Sequence, residues 1–501
     1  MCYKYHMLSE LSFASHPANS EPEAPHFYLW LHGEARKGIH AHLDIRNPFD
    51  GLLIATTAIA GRRQVNEAIH SAKQALPRLA SMPRSQRAKG LLNIATLLKE
   101  AYIELVDTLV MEVGKPRRLA EQEVNRCIDT FTYAAEEARR FCGEQVPLDG
   151  LSRGEGYEGY SRREPIGIIF GITPFNFPLN LMAHKVAPAL AVGCPIIIKP
   201  ASNTAVSALI LARIISEAGF PDGSVNVLPM RHRDISVLLQ NDAIKMLSFT
   251  GSADIGWALK RQAWKQKVTL ELGGNAGVYV DKTADLNMAA KQLALSAFAF
   301  AGQSCISAQR IYVHQHVCDD FLALLTQETK LLNSGNPYHD DVTVGPVIHK
   351  AAADRILLCI QEAIAGGAKL ILGGQSLKLG KGLLISPTIL TNVQESMQVC
   401  SREIFAPVVT VSPVQDITIA IKRINTSEFG LQASIFSHDT RIIQQAISQI
   451  QCGGIIINDA PSFRSEQMPY GGIKNSGMGR EGIHSAMLEM SLEKMIVTRQ
   501  S

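Results

Sequence analysis

The feature that most constrains the fold lies between residues 166 and 272, where five short apolar runs alternate with helical patterns. Ile166–Ile172 is followed by a Pro/Asn turn and a helix-like Leu179–Ala191. Pro195–Lys199 leads through the candidate caps Ser202–Asn203–Thr204 to a helix face of Val206, Leu209, Ile210 and Ile214, closed by Gly219 and Pro221. Ser224–Leu228 precedes a helical pattern from Asp234, Met246–Thr250 precedes one from Ala253, and Lys267–Leu272 ends the series. Strands apolar on both faces must be covered on both faces, and helices between successive strands supply that cover. The expected fold class is α/β, a doubly wound parallel sheet. A second alternation, from Ala276 to Ile457, is long enough for a second α/β domain. Residues Val65–Ala138 read as mainly helical, with Gln86–Val106 as one helix carrying Leu91, Ile94, Leu97, Leu98 and Ala101. Asp149–Arg163, rich in Gly and Arg, reads as an excursion from the core.

Composition removes several function classes. Apolar residues make up 46% and charged residues 19%, an ordinary globular balance. Net charge is 49 − 46 = +3, which gives no reason to expect nucleic acid or an anionic membrane as partner. The most apolar stretches, such as Ile166–Met182, are broken by Gly, Pro and Asn before the ~20 residues a membrane span needs. The N-terminus lacks the basic-then-apolar pattern of a secretory signal. Nine Cys, an odd number thinly spread, argue against a disulfide framework and for a reducing, cytoplasmic location. Residues 1–30, with Pro17–Pro25 rich in Pro, Ser, Asn and Glu, read as a loose leader.

Ligands on open α/β sheets bind beyond the carboxyl ends of strands. Lys199 stands at such an end; Phe249–Thr250–Gly251–Ser252 stands at another, before Gly256 and a helix whose first N–H groups could hold a pyrophosphate. The plainer alternative is that Gly251 only turns the chain and Lys199 is solvated. Two Gly-x-Gly-x-x-Gly patterns, Gly154/Gly156/Gly159 and Gly477/Gly479/Gly482, are set aside. The first leads into a strand and the second follows a polar loop, so neither opens a helix after a strand. Cys305 follows the helical run Leu293–Phe300 and a helix-breaking Gly302, whereas Cys194, Cys318, Cys359, Cys400 and Cys452 sit in apolar patterns and read as packing. A cysteine nucleophile needs a base and an oxyanion donor. Glu271, at a strand end before Gly273–Gly274, is the candidate base, and Asn176, in the turn after the first strand, the candidate donor.

The chain resembles the aldehyde dehydrogenase superfamily from about residue 45 to its C-terminus. The motifs that carry the resemblance are Thr173-Pro-Phe-Asn-Phe-Pro178, Lys199-Pro200, Phe249-Thr-Gly-Ser252, Glu271-Leu-Gly-Gly274, Gly302-Gln-Ser-Cys305, Glu403-Ile-Phe405, and Pro469-Tyr-Gly-Gly-Ile-Lys474 through Gly479-Arg-Glu-Gly482. The resemblance implies a cofactor domain over 31–144 and 164–272, a catalytic domain over 273–475, and a bridging element over 145–163 and 484–501 that joins subunits into a homodimer or homotetramer. It implies that Cys305 attacks a small-molecule aldehyde and that Asn176 with the Cys305 N–H holds the oxyanion. Hydride then leaves for the nicotinamide of NAD or NADP, and Glu271 activates the water that hydrolyses the thioester. Lys199 and Glu403 match ribose contacts, and Ser252 matches the pyrophosphate contact. Ile172, Pro174, Phe175, Ser202, Gly251, Ile255, Gly256, Leu272 and Phe405 complete the expected cofactor surface. Lys185 and Glu481 match a proton relay, and no metal site is assigned. Glu271 argues for hydrolysis over transfer to CoA. The thiol and base together argue against a catalytically silent structural relative.

Many NAD-preferring relatives carry Glu where this chain has Ser202, so NADP is expected to be tolerated or preferred. His184 stands where succinate-semialdehyde relatives have Arg, and Ser304 where several relatives that take phosphorylated aldehydes have Arg. Arg464 reads as a solvated surface side chain, with an anion contact as the alternative. The expected substrate is a short, neutral, hydroxylated aldehyde of the lactaldehyde kind. The alternatives are succinate semialdehyde and glyceraldehyde 3-phosphate.

Overall fold

The computed structural model describes residues 24–380 and 383–500. The five apolar runs form parallel strands: Ile168–Ile172, Ile196–Lys199, Val225–Val227, Ile244–Thr250 and Lys267–Glu271. Their spatial order is fifth, fourth, first, second, third. The order therefore reverses between the first and fourth strands, where an open α/β sheet leaves its ligand crevice. Register aligns the strand ends there. Ile172 lies opposite both Phe249 and Lys199, and Thr250 lies opposite Glu271. A C-terminal strand, Gly477–Met478, adds antiparallel to Leu270–Glu271 and brings the last loop to the same rim. Apolar clusters fill both faces, one including Leu179, Val186 and Ile198, the other Phe170, Ile197 and Leu247.

The second sheet has the order Lys369–Leu372, Thr388–Thr391, Val408–Val414, Ala308–His314, Ala276–Val280, Gln432–Phe436, Gly454–Ile457. All its pairings are parallel except that of the first-named edge strand. A third, antiparallel sheet joins Gln145–Val146, Tyr157–Pro165 and Ser491–Arg499.

Three expectations need correction. Residues 1–23 of the expected leader lie outside the described residues, but 26–31 are not loose. His26–Phe27 pairs with Leu53–Ala58, and buried Leu29–Leu31 extends the first sheet beside Val227. Runs of two and three residues are too short for a period to register. The bridging segment expected from residue 484 begins later, because Ile483–Glu489 is a helix whose Ile483 and Met487 enter the apolar cluster on one face of the first sheet. Only from Ser491 does the chain join the third sheet. Gln86–Val106 is split into Arg84–Glu100 and Tyr102–Val113 at Ala101, with φ −87 and ψ 13. One such residue leaves the i, i+3, i+4 pattern on either side intact, so the sequence does not reveal it.

The helix Ala205–Ser216 begins after Thr204, whose side chain makes no capping bond. The Glu112 carboxylate, buried and from another helix, accepts from the N–H groups of Val206 at 3.0 Å and Ser207 at 3.3 Å. Burial without a cation partner pushes this carboxyl up to about 8, against the opposing hydrogen bonds.

Candidate active site

Asn176 sits in the turn between the first strand and the helix Pro178–Val192. The first N–H groups of that helix, Leu179 and Asn180, donate to Glu123 Oε1 at 3.0 and 3.1 Å. Glu123 is in turn paired with Lys115, both side chains fully buried. The Lys115 ammonium lies 3.9 Å from the Phe177 ring centroid and 4.7 Å from that of Phe300. One ion pair thus fixes the residue after Asn176 and the turn that leads to Cys305. The Asn176 Nδ2 donates to the Gln303 carbonyl at 2.9 Å.

The turn that leads to Cys305 is strained. Phe300, Ala301 and Gly302 have φ of +53°, +56° and +65°. Non-glycine residues in the left-handed region cost about 1–3 kcal/mol each, so such a turn persists only where its surroundings impose it. The Gln303 side chain does so. Its Nε2 donates to the carbonyls of Phe300 and Pro346, both at 3.2 Å, and its Oε1 accepts from Ile348 N at 2.9 Å. Gly274 is required because a Cβ there would collide with the Cys305 carbonyl oxygen. Cys305 Sγ lies 3.2 Å from the Tyr470 hydroxyl. Burial pushes the thiol up to about 12; Glu271 and Glu403 act in the same direction, and Tyr470 and Arg464 oppose them. Ser304 is partly buried within the turn, its hydroxyl 3.5 Å from Ile306 N.

Glu271 is buried, and neither carboxylate oxygen has a protein hydrogen bond. Burial, and then Glu481, hold its pKa well above the carboxylate range. An orphaned, buried carboxyl beside a thiol is the setting in which a base works near neutral pH. Lys185 donates to Glu481 Oε1 at 2.8 Å, Thr250 Oγ1 at 2.7 Å and Ser248 Oγ at 3.0 Å. Glu481 is held down to about 2: burial opposes ionisation, but Lys185 and Arg464 outweigh it. The predicted relay pair is therefore in direct contact.

Arg464 is not on the surface. Its side chain is 7% exposed and lies 3.8 Å over the Tyr470 ring, with Nη2 3.4 Å from Glu481 Oε2. The aromatic face and the carboxylate offset the cost of burying the charge, which sequence position could not show. His184 Nδ1 lies 3.2 Å from Arg464 Nη2, and His184 Nε2 lies 2.5 Å from Glu466 Oε2. Since a guanidinium only donates, Nδ1 is the acceptor and Nε2 carries the proton toward Glu466. Arg126 reaches the same carboxylate, Nε to Oε1 at 2.8 Å.

The cofactor side lies along the same rim. Lys199 is buried at its strand end, its ammonium bonded to the Pro200 carbonyl at 3.2 Å, and burial lowers it to about 8. Glu403 is pushed up to about 7 by burial, against the Gly274 N–H that donates to it at 3.0 Å. A Cβ at Gly273 would displace the Glu403 carboxylate from its present position. Ser252 opens the helix Ala253–Gln262 without a side-chain cap, so the first N–H groups remain for an anion. Gly251 N bonds to the Glu271 carbonyl at 3.0 Å. Gly256 packs on buried Leu272, while Ile255 is exposed. Phe175 and Phe405 meet edge to face with centroids 5.9 Å apart, beyond buried Ile172 and partly buried Pro174. Ser202 is exposed. An unpaired helix N-terminus, a buried lysine with one carbonyl partner and a half-satisfied carboxyl fit a dinucleotide.

A model of the aldehyde dehydrogenase family matches residues 35–496. The chain belongs to the aldehyde dehydrogenase family. The 3-sulfolactaldehyde dehydrogenase of Priestia aryabhattai is 39% identical over 91% of this chain and 94% of its own length. The lactaldehyde dehydrogenase of Methanocaldococcus jannaschii is 37% identical over 91% and 97%. The crystal structure of aldehyde dehydrogenase 21 from Physcomitrella patens, in complex with the reaction product succinate, superposes with a TM-score of 0.92 at 39% identity, covering 96% of this chain and 99% of that one. The chain is an NAD(P)-dependent aldehyde dehydrogenase with the α/β fold of that family.

Sequence reading of this aldehyde dehydrogenase missed Tyr470, Gln303, Glu466, Arg126 and the Lys115–Glu123 pair. Gln303 and Tyr470 lie within the motifs that carry the resemblance, and Lys115 lies between Gly114 and Pro116 at the end of an apolar helix; Glu466, Arg126 and Glu123 leave no local signal. Among the described residues, no helix is long and apolar enough to cross a membrane, and the eight cysteines are free.

Proposed function

We propose that this enzyme oxidises a short aldehyde carrying a single anionic group to the acid, with Cys305 as nucleophile. The thiolate adds to the aldehyde carbon and the carbonyl π pair moves to oxygen. Asn176 has two amide N–H groups, so one can hold the Gln303 carbonyl while the other meets that oxygen, together with the Cys305 N–H. The oxyanion pair then re-forms the carbonyl and expels hydride, leaving the Cys305 thioester; Lys199, Glu403, Phe175, Phe405 and the helix N-terminus at Ser252 would hold a nicotinamide dinucleotide, which would supply the hydride acceptor. Glu271 takes the proton of the water that cleaves the thioester. Ser202, exposed and uncharged, leaves room for a 2′-phosphate, and NADP is read as the preferred form.

The observation that carries the substrate reading is Arg464. It is buried against the tyrosine that touches Cys305, and its Nε has no partner; Arg126 likewise leaves a buried Nη2 unpaired. Two guanidinium groups with unused donors favour a sulfonate or carboxylate on the aldehyde. A buried Arg464 favours an anionic over a neutral aldehyde, whereas the lactaldehyde dehydrogenase relative supports the neutral, lactaldehyde-type substrate. The relative that acts on 3-sulfolactaldehyde and the solved relative holding succinate support the anionic substrate. The test compares kcat/KM for 3-sulfolactaldehyde, succinate semialdehyde and lactaldehyde in the native enzyme and Arg464→Met. The anionic substrates should lead and should lose about 30-fold or more in the variant, on the order of 2 kcal/mol for a charged hydrogen bond. Lactaldehyde as the best substrate would overturn the reading. That neutral alternative is favoured by one contact, the 3.4 Å approach of Glu481 to Arg464, which offsets its charge.

A homodimer or homotetramer in the cytoplasm belongs to the same proposal. It is supported by the third sheet, whose strand Ser491–Arg499 exposes Leu492, Met495 and Val497.

A further inference from the structure

The Tyr470 hydroxyl is 3.2 Å from Cys305 Sγ, the only atom of the site to which it is bonded among the described residues. Its position is fixed from two sides. Tyr470 N and O bond to Glu481 O and N, at 3.0 and 2.6 Å, and the Arg464 guanidinium stacks on the ring at 3.8 Å. The ring is buried with Ile306 and Leu431, against Cys305. The charged and titratable groups that bear on the sulfur are Tyr470, Glu271, Glu403 and Arg464; those that bear on the phenol are Cys305, Arg464 and Glu271.

We propose that Tyr470 is a further catalytic residue of this enzyme, whose O–H donates to the Cys305 thiolate both before it attacks and as it departs. The proposal rests on Cys305 being the nucleophile. Once the Sγ–H proton has passed to water, sulfur can only accept, so the phenol must be the donor. The phenol stays protonated throughout, because burial and the nearby Cys305 push it well above its usual value. In the first half-reaction the Sγ–C bond forms with the sulfur pair, the carbonyl π pair moves to oxygen, and the hydrogen bond to Tyr470 is released. In the second half-reaction water adds to the thioester, the Sγ–C bond breaks with its pair returning to sulfur, and the same O–H receives the leaving thiolate. Nucleophilicity falls less than tenfold for each tenfold gain in thiolate, so below the thiol pKa the donor accelerates attack on balance. The role differs from that of Asn176, which serves the oxygen. Arg464 acts here only through the ring, as a positioning residue.

Tyr470→Phe keeps the ring and its stacking and removes the donor. Alkylation of Cys305 by iodoacetamide is followed from pH 6 to 10, with Cys305→Ala subtracting the other cysteines, beside the pre-steady-state burst of NAD(P)H. In Tyr470→Phe the alkylation profile should move up by about one pH unit. Its rate should fall about three- to tenfold across the whole range, which lies below the thiol pKa of both enzymes. Steady-state acid release should fall at least as much, with cofactor affinity unchanged. Coincident alkylation profiles, in a variant of unchanged melting temperature, would overturn the role of Tyr470 and leave Cys305 intact. A variant that melts earlier but keeps the native profile would also overturn it. Full turnover in Cys305→Ala would instead remove the nucleophile reading on which it rests.

Discussion

Asn176 Nδ2 donates to the backbone carbonyl of Gln303 at 2.9 Å, across 127 residues of sequence. The bond joins the turn after Ile168–Ile172 to the strained turn that follows the helix Leu286–Phe298, two residues before the thiol. Gln303 in turn ties that turn to Pro346 and Ile348. The proposed oxyanion donor and the proposed nucleophile are therefore placed by one network, and a change at either end should be felt at both.

Asn176→Ala should lower kcat by about 100-fold or more, the usual loss of ~3 kcal/mol for one preorganised oxyanion donor. Cofactor affinity should not change, since the groups along the rim at Lys199, Glu403 and Ser252 are left in place. Steady-state kinetics and a fluorescence titration with NADP check this. A kcat within threefold of native would remove Asn176 from the chemistry.

Glu271→Gln should form the thioester and then stall, giving a single-turnover burst of NAD(P)H and a slow steady state. The base acts as the carboxylate, and burial holds its pKa well above the usual range. Native deacylation should therefore rise with pH through that raised pKa and level off above it, while the variant stays flat. A variant whose burst disappears along with its steady state would show that Glu271 serves an earlier step.

Ser202→Glu should raise the Kd of NADP about tenfold or more while changing that of NAD little, because a fixed negative charge repels only the 2′-phosphate. A helix-capping role for Ser202 is not what the structure shows, since Glu112 supplies the acceptor for the helix that follows. Equal losses for both cofactors, by calorimetry, would contradict the assignment.

Glu112→Gln should flatten the stability profile between pH 5 and 8. The carboxyl titrates near its ordinary value when unfolded but is raised to about 8 when folded. Across that window the folded state holds a proton the unfolded state has lost, so native stability falls as pH rises, by up to ~1.4 kcal/mol per pH unit. The variant keeps an acceptor for Val206 and Ser207 without the ionisation. Urea melts at pH 5.5, 7 and 8.5 measure the slope; equal slopes would mean the group is not the source.

The sequence by itself determined the doubly wound sheet, the second α/β alternation that forms the seven-stranded sheet, and the places of Asn176, Lys199, Ser252, Glu271 and Cys305 along the chain. Buried parallel strands announce themselves as apolar runs, and each of these residues stands in or beside a turn at the end of a strand or helix. What only the tertiary structure decided is what each side chain meets. Arg464 reads as a surface residue because arginine usually is one; the Tyr470 face and Glu481, which make its burial tolerable, come from the folding of the last loop. Lys115 lies in the connection between two helices and Glu123 on the second of them, yet together they brace the Asn176 turn from inside. Tyr470 sits in the Pro469-Tyr-Gly-Gly motif, where nothing local gives it a chemical role, and acquires one only through a contact with Cys305, 165 residues away. Local pattern records propensity and burial, which are properties of neighbours in sequence. Pairing of charges and donors depends on neighbours in space, and those are set by how the strand ends of the two sheets face one another.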